Sequence, residues 1–177
     1  MNLKSISPAS INAAIAKAER YRYLNEPEEA ESICRDILVV EPTHQSAQRI
    51  LGLAITDQFT GGVKDRFVEA DAIFSGLAEE YARLYYTGIL HERHAKAQLR
   101  LGRPIPAITA EFEDAMGYFE RAEKIRLAGN DECILRWNRC ARLLQALPTP
   151  IVIEEPTAFE SGDIAPQRVA ARAGRSR

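Results

Sequence analysis

From Ile11 onward, small and apolar residues return at every third or fourth position: Ile11, Ala14, Ile15, Ala18 and Tyr21, then Ala30, Ile33, Cys34, Ile37 and Leu38. Such spacing places each set on one face of a helix. Ser7-Pro8 predicts the start of the first helix, with serine capping free amides and proline losing no hydrogen bond at the first helical position. This helix runs from Pro8 to Leu24, and Asn25-Glu26-Pro27 breaks it. Pro27-Glu28-Glu29 opens the second with carboxylates at its positive end. Pro42 ends that helix near Glu41, because the residue before a proline is pushed out of helical geometry. Thr43 then caps a third helix, His44 to Phe59, which stops at Thr60-Gly61-Gly62.

Val63 to Leu101 contains no proline, and only Gly76 and Gly88 interrupt it. Phe67, Ala70, Phe74 and Leu77 form one stripe; Leu84, Gly88, His91 and Ala95 form another. A single helix over this span would be 39 residues (101 − 63 + 1), long for a globular domain. A tight turn between Glu79 and Ala82 is therefore expected, with one bent helix as the alternative. Gly102 to Pro106 ends the segment. A sixth helix follows from Ala107 or Thr109 to Ala128, carrying Phe112, Ala115, Phe119 and Ala122, and Gly129 suits a left-handed stop. Asn130 caps a seventh, Asp131 to Ala146, whose apolar side is Ile134, Trp137 or Leu135, Cys140, Leu143 and Leu144.

The pattern also repeats. Leu51-Gly52 stands where Lys17-Ala18 stood, 34 positions earlier (52 − 18). With Ala18, Tyr21, Ala30 and Pro42 at matching offsets, the first unit resembles the tetratricopeptide repeat family, and the likeness extends from Ile11 to Leu144. The second unit keeps Leu51-Gly52 and Ala70-Phe74-Leu77. Its small residues lie 18 apart (70 − 52) against 12 (30 − 18) in the first, which places a longer loop at Thr60-Gly61-Gly62. Its closing proline is missing, and Ala82 stands there. The third unit offers Gly88 or Ala95, then Ala115-Phe119-Ala122, with the Gly102 to Pro106 loop between. The resemblance implies an all-α array of antiparallel helix hairpins, about three hairpins plus a C-terminal capping helix covering the last apolar face.

Composition narrows this little. At 177 residues the chain is long enough to bury a real core, and 46% hydrophobic with 27% charged residues is ordinary for a globular protein. A net charge of −2 gives no global pull toward nucleic acid or anionic lipid, so any electrostatic preference is local. Cys34, Cys133 and Cys140 lack metal-ligand spacing and sit among apolar neighbours, which predicts reduced core thiols. No signal-peptide run or membrane-length apolar segment is visible, so a cytoplasmic location is expected. Two parts follow: residues 1–146 as the helical repeat domain and residues 147–177 as a proline- and charge-rich tail, expected to be mobile. In that tail Ile151-Val152-Ile153 is the one apolar piece, and Arg168, Arg172, Arg175 and Arg177 gather at the end.

Arrays of this family bind partners in a groove lined by the first helix of each hairpin. By phase, the resemblance places Ile15, Glu19, Arg22, Arg49, Leu53, Thr56, Tyr85, Tyr86, Ile89, Glu92 and Arg93 there. Leu53, Tyr85 and Ile89 are the expected apolar anchors and the charged residues the rim, with each tyrosine equally suited to packing between hairpins. The lysine and asparagine clamp by which some family members hold a C-terminal carboxylate is absent. Its places carry Ile15, Glu19, Ile50, Ala82 and Tyr86, which disfavours an acidic chaperone tail.

His91 and His94 are three apart on one helix, but no further ligand cluster accompanies them, and a surface or groove role is expected instead of a metal. No phosphate loop or nucleophile-base pattern is legible, so the expectation is not an enzyme and no cofactor. The expected function is a protein-interaction adaptor or chaperone-like subunit whose partner is a protein or peptide of unknown identity. The alternatives are a self-assembly module, a homo-oligomer whose tail docks in its own or a neighbour's groove, and, less favoured, nucleic-acid binding through the terminal arginines. No membrane partner is expected.

Overall fold

The computed structural model describes residues 2–60 and 64–148. Among them there are seven α-helices: α1 (Ile11–Tyr23), α2 (Pro27–Val40), α3 (Gln45–Asp57), α4 (Lys64–Ser75), α5 (Glu80–Arg100), α6 (Ile105–Glu123) and α7 (Glu132–Gln145). The chain is all-α over these residues. A 3₁₀ turn, Pro8–Ser10, leads into α1. The expected tail features at Ile151 to Ile153 and from Arg168 onward, and the expected loop at Gly61-Gly62, lie outside the described residues.

Each helix packs against the next in sequence, and α1, α3, α5 and α7 also touch one another in order. The odd helices thus form one face, with α2, α4 and α6 behind them. Small residues make this possible. Gly52 of α3 receives the Phe74 ring of α4, and Gly88 of α5 receives the Phe119 ring of α6. Ala18, Ala30 and Cys34 are fully buried where α1 and α2 meet. One apolar core runs from these residues through Ile55, Phe74, Leu90, Phe112 and Phe119 to Cys133 and Cys140. All three cysteines are free, and burial pushes the thiols of Cys34 and Cys140 up to about 12.

Several boundaries differ from expectation for identifiable reasons. The cap of α3 is His44, whose Nδ1 accepts from the Ala47 amide at 3.2 Å; Thr43 lies one residue too early. Ser7 precedes the Pro8 turn without a side-chain cap bond. The cap position of α7 is Asp131, which makes no side-chain cap bond; Asn130 lies one residue before it, and its Oδ1 accepts from the Glu132 amide at 3.3 Å. Residues 64–100 divide into two helices, and the break at Gly76 to Glu79 meets the expected span, Glu79 to Ala82, only at Glu79. The break is held from a distance. Arg83 Nη1 donates to the carbonyls of Leu77 at 2.8 Å and Ala78 at 2.6 Å, while Gln45 Oε1 accepts from the Ala78 amide at 2.8 Å. α6 starts at Ile105, because Pro106 is tolerated in a first helical turn, and stops at Glu123, short of Ala128. Gly129 has the expected left-handed φ, +86°, but lies in the loop ahead of α7 and does not cap α6.

Two carboxylates clasp the layers together. Glu31 on α2 takes Arg66 Nη2 of α4 at 2.5 Å, Arg35 Nη2 at 2.7 Å and Gln58 Nε2 at 2.7 Å. The Arg66 hydrogen bond, working against burial and aided by Arg35 and Gln58, lowers its pKa to about 2. Glu111 on α6 meets Nδ1 of both His91 and His94 on α5 at 3.1 Å, with the Phe67 ring of α4 against both imidazoles. Burial works to raise its pKa, but the two histidines prevail and bring it to about 2. Folded pKa values below the usual 4.5 stabilise the fold above pH 4.5, and that contribution is lost as pH falls toward 2. Stability read from urea midpoints should drop across that window. Glu31→Gln should remove about 2 kcal/mol of the dependence, allowing for solvent screening; an unchanged pH profile in the variant would refute the assignment.

Candidate functional site: a polar ladder on the odd helices

Residues three and four apart on a helix share a face, and the polar residues of the odd helices follow that rule. α1 presents Glu19 and Arg22; α3 presents Arg49, Thr56 and Asp57; α5 presents Glu92, Arg93, Lys96 and Arg100; α7 presents Glu132 and Arg136. Their side chains join helix to helix. Arg49 Nη2 meets Glu19 Oε1 at 2.9 Å, linking α3 to α1. Asp57 bridges two helices at once, with Arg22 Nη2 on Oδ2 and Arg93 Nη1 on Oδ1, both at 2.8 Å. Arg93 also donates from Nη1 to Thr56 Oγ1 at 2.5 Å and to the Leu53 carbonyl at 3.0 Å. Glu92, fully buried, is shared by Lys96 one turn along and by Arg136 Nη1 of α7 at 3.3 Å. The Tyr85 hydroxyl donates to Glu132 Oε2 at 3.2 Å.

Burial works against the charge on both Arg93 and Arg49, and their neighbours decide the outcome. Arg93 is held below the usual arginine value, first by burial, and the nearby Arg22 and Arg136 cations add to this. Burial also works against the charge on Arg49, but Tyr86 and Glu19 more than offset it and its pKa rises. Between α3, α5 and α7 lies a half-open cavity of about 260 Å³, walled by Thr56, Asp57, Arg93, Lys96, Arg100 and Arg136 and floored by Phe59.

The residues expected in the groove separate into two groups. Glu19, Arg22, Arg49 and Arg93 lie on the ladder. Thr56 also belongs to it, although it is buried. The expected apolar anchors do not face outward: Leu53, Tyr85 and Ile89 are only 8%, 8% and 2% exposed and belong to the protein's own core. Tyr86 stacks on Phe74 with ring centroids 5.5 Å apart, and Tyr85 packs toward Phe119 at 6.0 Å. Ile15 is half-buried and packs against both apolar clusters. Glu92, expected at the rim, is a buried ion-pair centre. The sequence reading missed Asp57, Lys96, Arg100, Glu132 and Arg136. The first three continue the same helical phase by one or two turns, so the signal was present; Glu132 and Arg136 are brought in only by the closing helix. Nor did the sequence show that Glu111 reaches His91 and His94 from another helix.

Among the described residues no helix is long and apolar enough to cross a membrane. Comparison of the chain with protein-family models, with curated proteins and with solved structures finds no match.

Proposed function

We propose that the chain is a partner-binding helical repeat that resembles a tetratricopeptide array and holds a protein or peptide segment along its odd-helix face, as an adaptor or chaperone-like subunit. One observation carries this reading: charged side chains from four helices align on a single face, three of those helices enclose an open cavity there, and the apolar residues are spent on the protein's own core. Recognition on such a face is polar and directional. Charges of this kind set register and association rate more than bulk affinity. The apolar-anchor mechanism expected from Leu53, Tyr85 and Ile89 gives way to hydrogen-bonded and ionic contacts.

A photo-crosslinking amino acid placed at Ser46 of α3, beside Arg49 on the odd-helix face, should trap a discrete partner in cells. The same group at Val39, which is 71% exposed on α2, should trap none. Equal trapping from Val39, or none from Ser46, would refute the assignment of the face.

A further inference from the structure

The cavity between α3, α5 and α7 has more cations than its own carboxylates serve. Asp57 is already divided between Arg22 and Arg93, and Glu92 between Lys96 and Arg136. Arg100, on the same wall, takes part in none of these ion pairs. Counting Arg93, Lys96, Arg100 and Arg136 against Asp57 and Glu92 leaves two positive charges in excess around one small opening. Donor capacity is also left over. A guanidinium has five N–H groups in a fork, and Arg136 meets Glu92 through Nη1 alone. Arg93, Lys96 and Arg100 stand at i, i+3 and i+7 on one side of α5, and Arg100 lies in its last turn, where a helix favours cations. The lowered pKa of Arg93, due to burial and to like charges, is a cost that an incoming anion would relieve.

Resting on the groove reading above, we propose that this cavity receives one oxyanion-bearing side chain of the bound segment, a carboxylate or a phosphoryl group. At about 260 Å³ it lies below the roughly 300–1,000 Å³ of pockets for drug-sized ligands, which suits a single acidic side chain. Bidentate N–H pairs from arginine match the planar or tetrahedral oxygens of either group. The Asp57 carboxylate in the wall is neutralised from both sides and so orients Arg93 without repelling the guest.

The test uses the full chain and four probes followed by amide and arginine side-chain NMR shifts: inorganic phosphate, and three capped Gly-Ser peptides carrying a central glutamate, phosphoserine or glutamine. Saturable shifts at Thr56, Arg93 and Lys96 are expected with a glutamate or phosphoserine peptide and not with glutamine. Arg100→Ser should weaken that binding at least fivefold while leaving the urea midpoint in place. Which acidic peptide binds more tightly assigns the guest as carboxylate or phosphoryl. Binding of inorganic phosphate without either acidic peptide would overturn the proposal, as would no saturable shift from any probe or no effect of Arg100→Ser. These failures leave the groove reading intact if Ser46 still crosslinks a partner. Loss of Ser46 crosslinking refutes that reading whatever the probes do.

Discussion

Replacing Glu92 with alanine should lower the free energy of unfolding by about 3–4 kcal/mol, a large share of the roughly 5–15 kcal/mol typical of a domain. The carboxylate has no exposed surface, and Lys96 and Arg136 converge on it from two helices. Removing it strips both cations of their counter-charge beside Arg93, which burial already disfavours as a cation. Lys96 and Arg136 keep 28% and 36% of their side-chain surface in water, so they can turn partly outward, which holds the cost to the lower part of the 3–5 kcal/mol range for broken buried pairs. The pair is not a net source of stability in itself. A triple variant, Glu92→Leu with Lys96→Met and Arg136→Met, replaces charge by packing and should recover most of the loss. Urea denaturation of the three proteins decides this: a Glu92→Ala variant within 1 kcal/mol of the parent would show that Glu92 does not organise α5 against α7.

The same residue shows how far the sequence carries. Helical periodicity, bounded by proline and glycine breaks, located the helices, because Ala18, Ala30, Ala70, Phe74, Ala115 and Phe119 recur at core spacing and all are buried. Phase also placed Arg22, Arg49, Thr56 and Arg93 on one face, since i, i+3 and i+4 neighbours are fixed by helix geometry. Phase cannot say how deep a residue sits. Leu53, Tyr85, Ile89 and Glu92 point in nearly the same direction as the ladder, yet contacts from neighbouring helices bury all four. The turn at Gly76 to Glu79 was misplaced for a related reason. Its fixing bonds come from Arg83 and Gln45, and the Gln45 bond spans helices that no local signal connects. Arg136 entered the site through the closing helix, whose register no repeat of the pattern set.

Glycine substitutions offer the sharper test of the packing between layers. Gly52→Ala should destabilise by about 2–3 kcal/mol, Gly88→Ala by about 1–2, and Gly117→Ala should stabilise by up to about 1 kcal/mol. All three lie inside helices, so each substitution gains the same intrinsic advantage of alanine over glycine. What differs is what the new methyl group meets. At Gly52 it would lie 2.3 Å from Phe74 Cε1 and at Gly88 2.6 Å from Phe119 Cε1, while at Gly117 nothing stands within 4 Å. Phe74 and Phe119 are 0% and 1% exposed, so neither ring has free space to retreat into. The cost should therefore belong to the pair. Gly52→Ala combined with Phe74→Leu should be at least 1 kcal/mol less destabilised than the sum of the single variants, because the smaller side chain withdraws the clashing ring atoms. Equal effects of alanine at Gly52 and Gly117, or strict additivity of Gly52→Ala with Phe74→Leu, would mean that the ring-in-glycine contact does not set the approach of α3 and α4. If the ranking holds, the two glycines fix how closely each odd helix lies on the even helix behind it, and so fix the spacing of α3 and α5 across which Arg93 reaches Asp57.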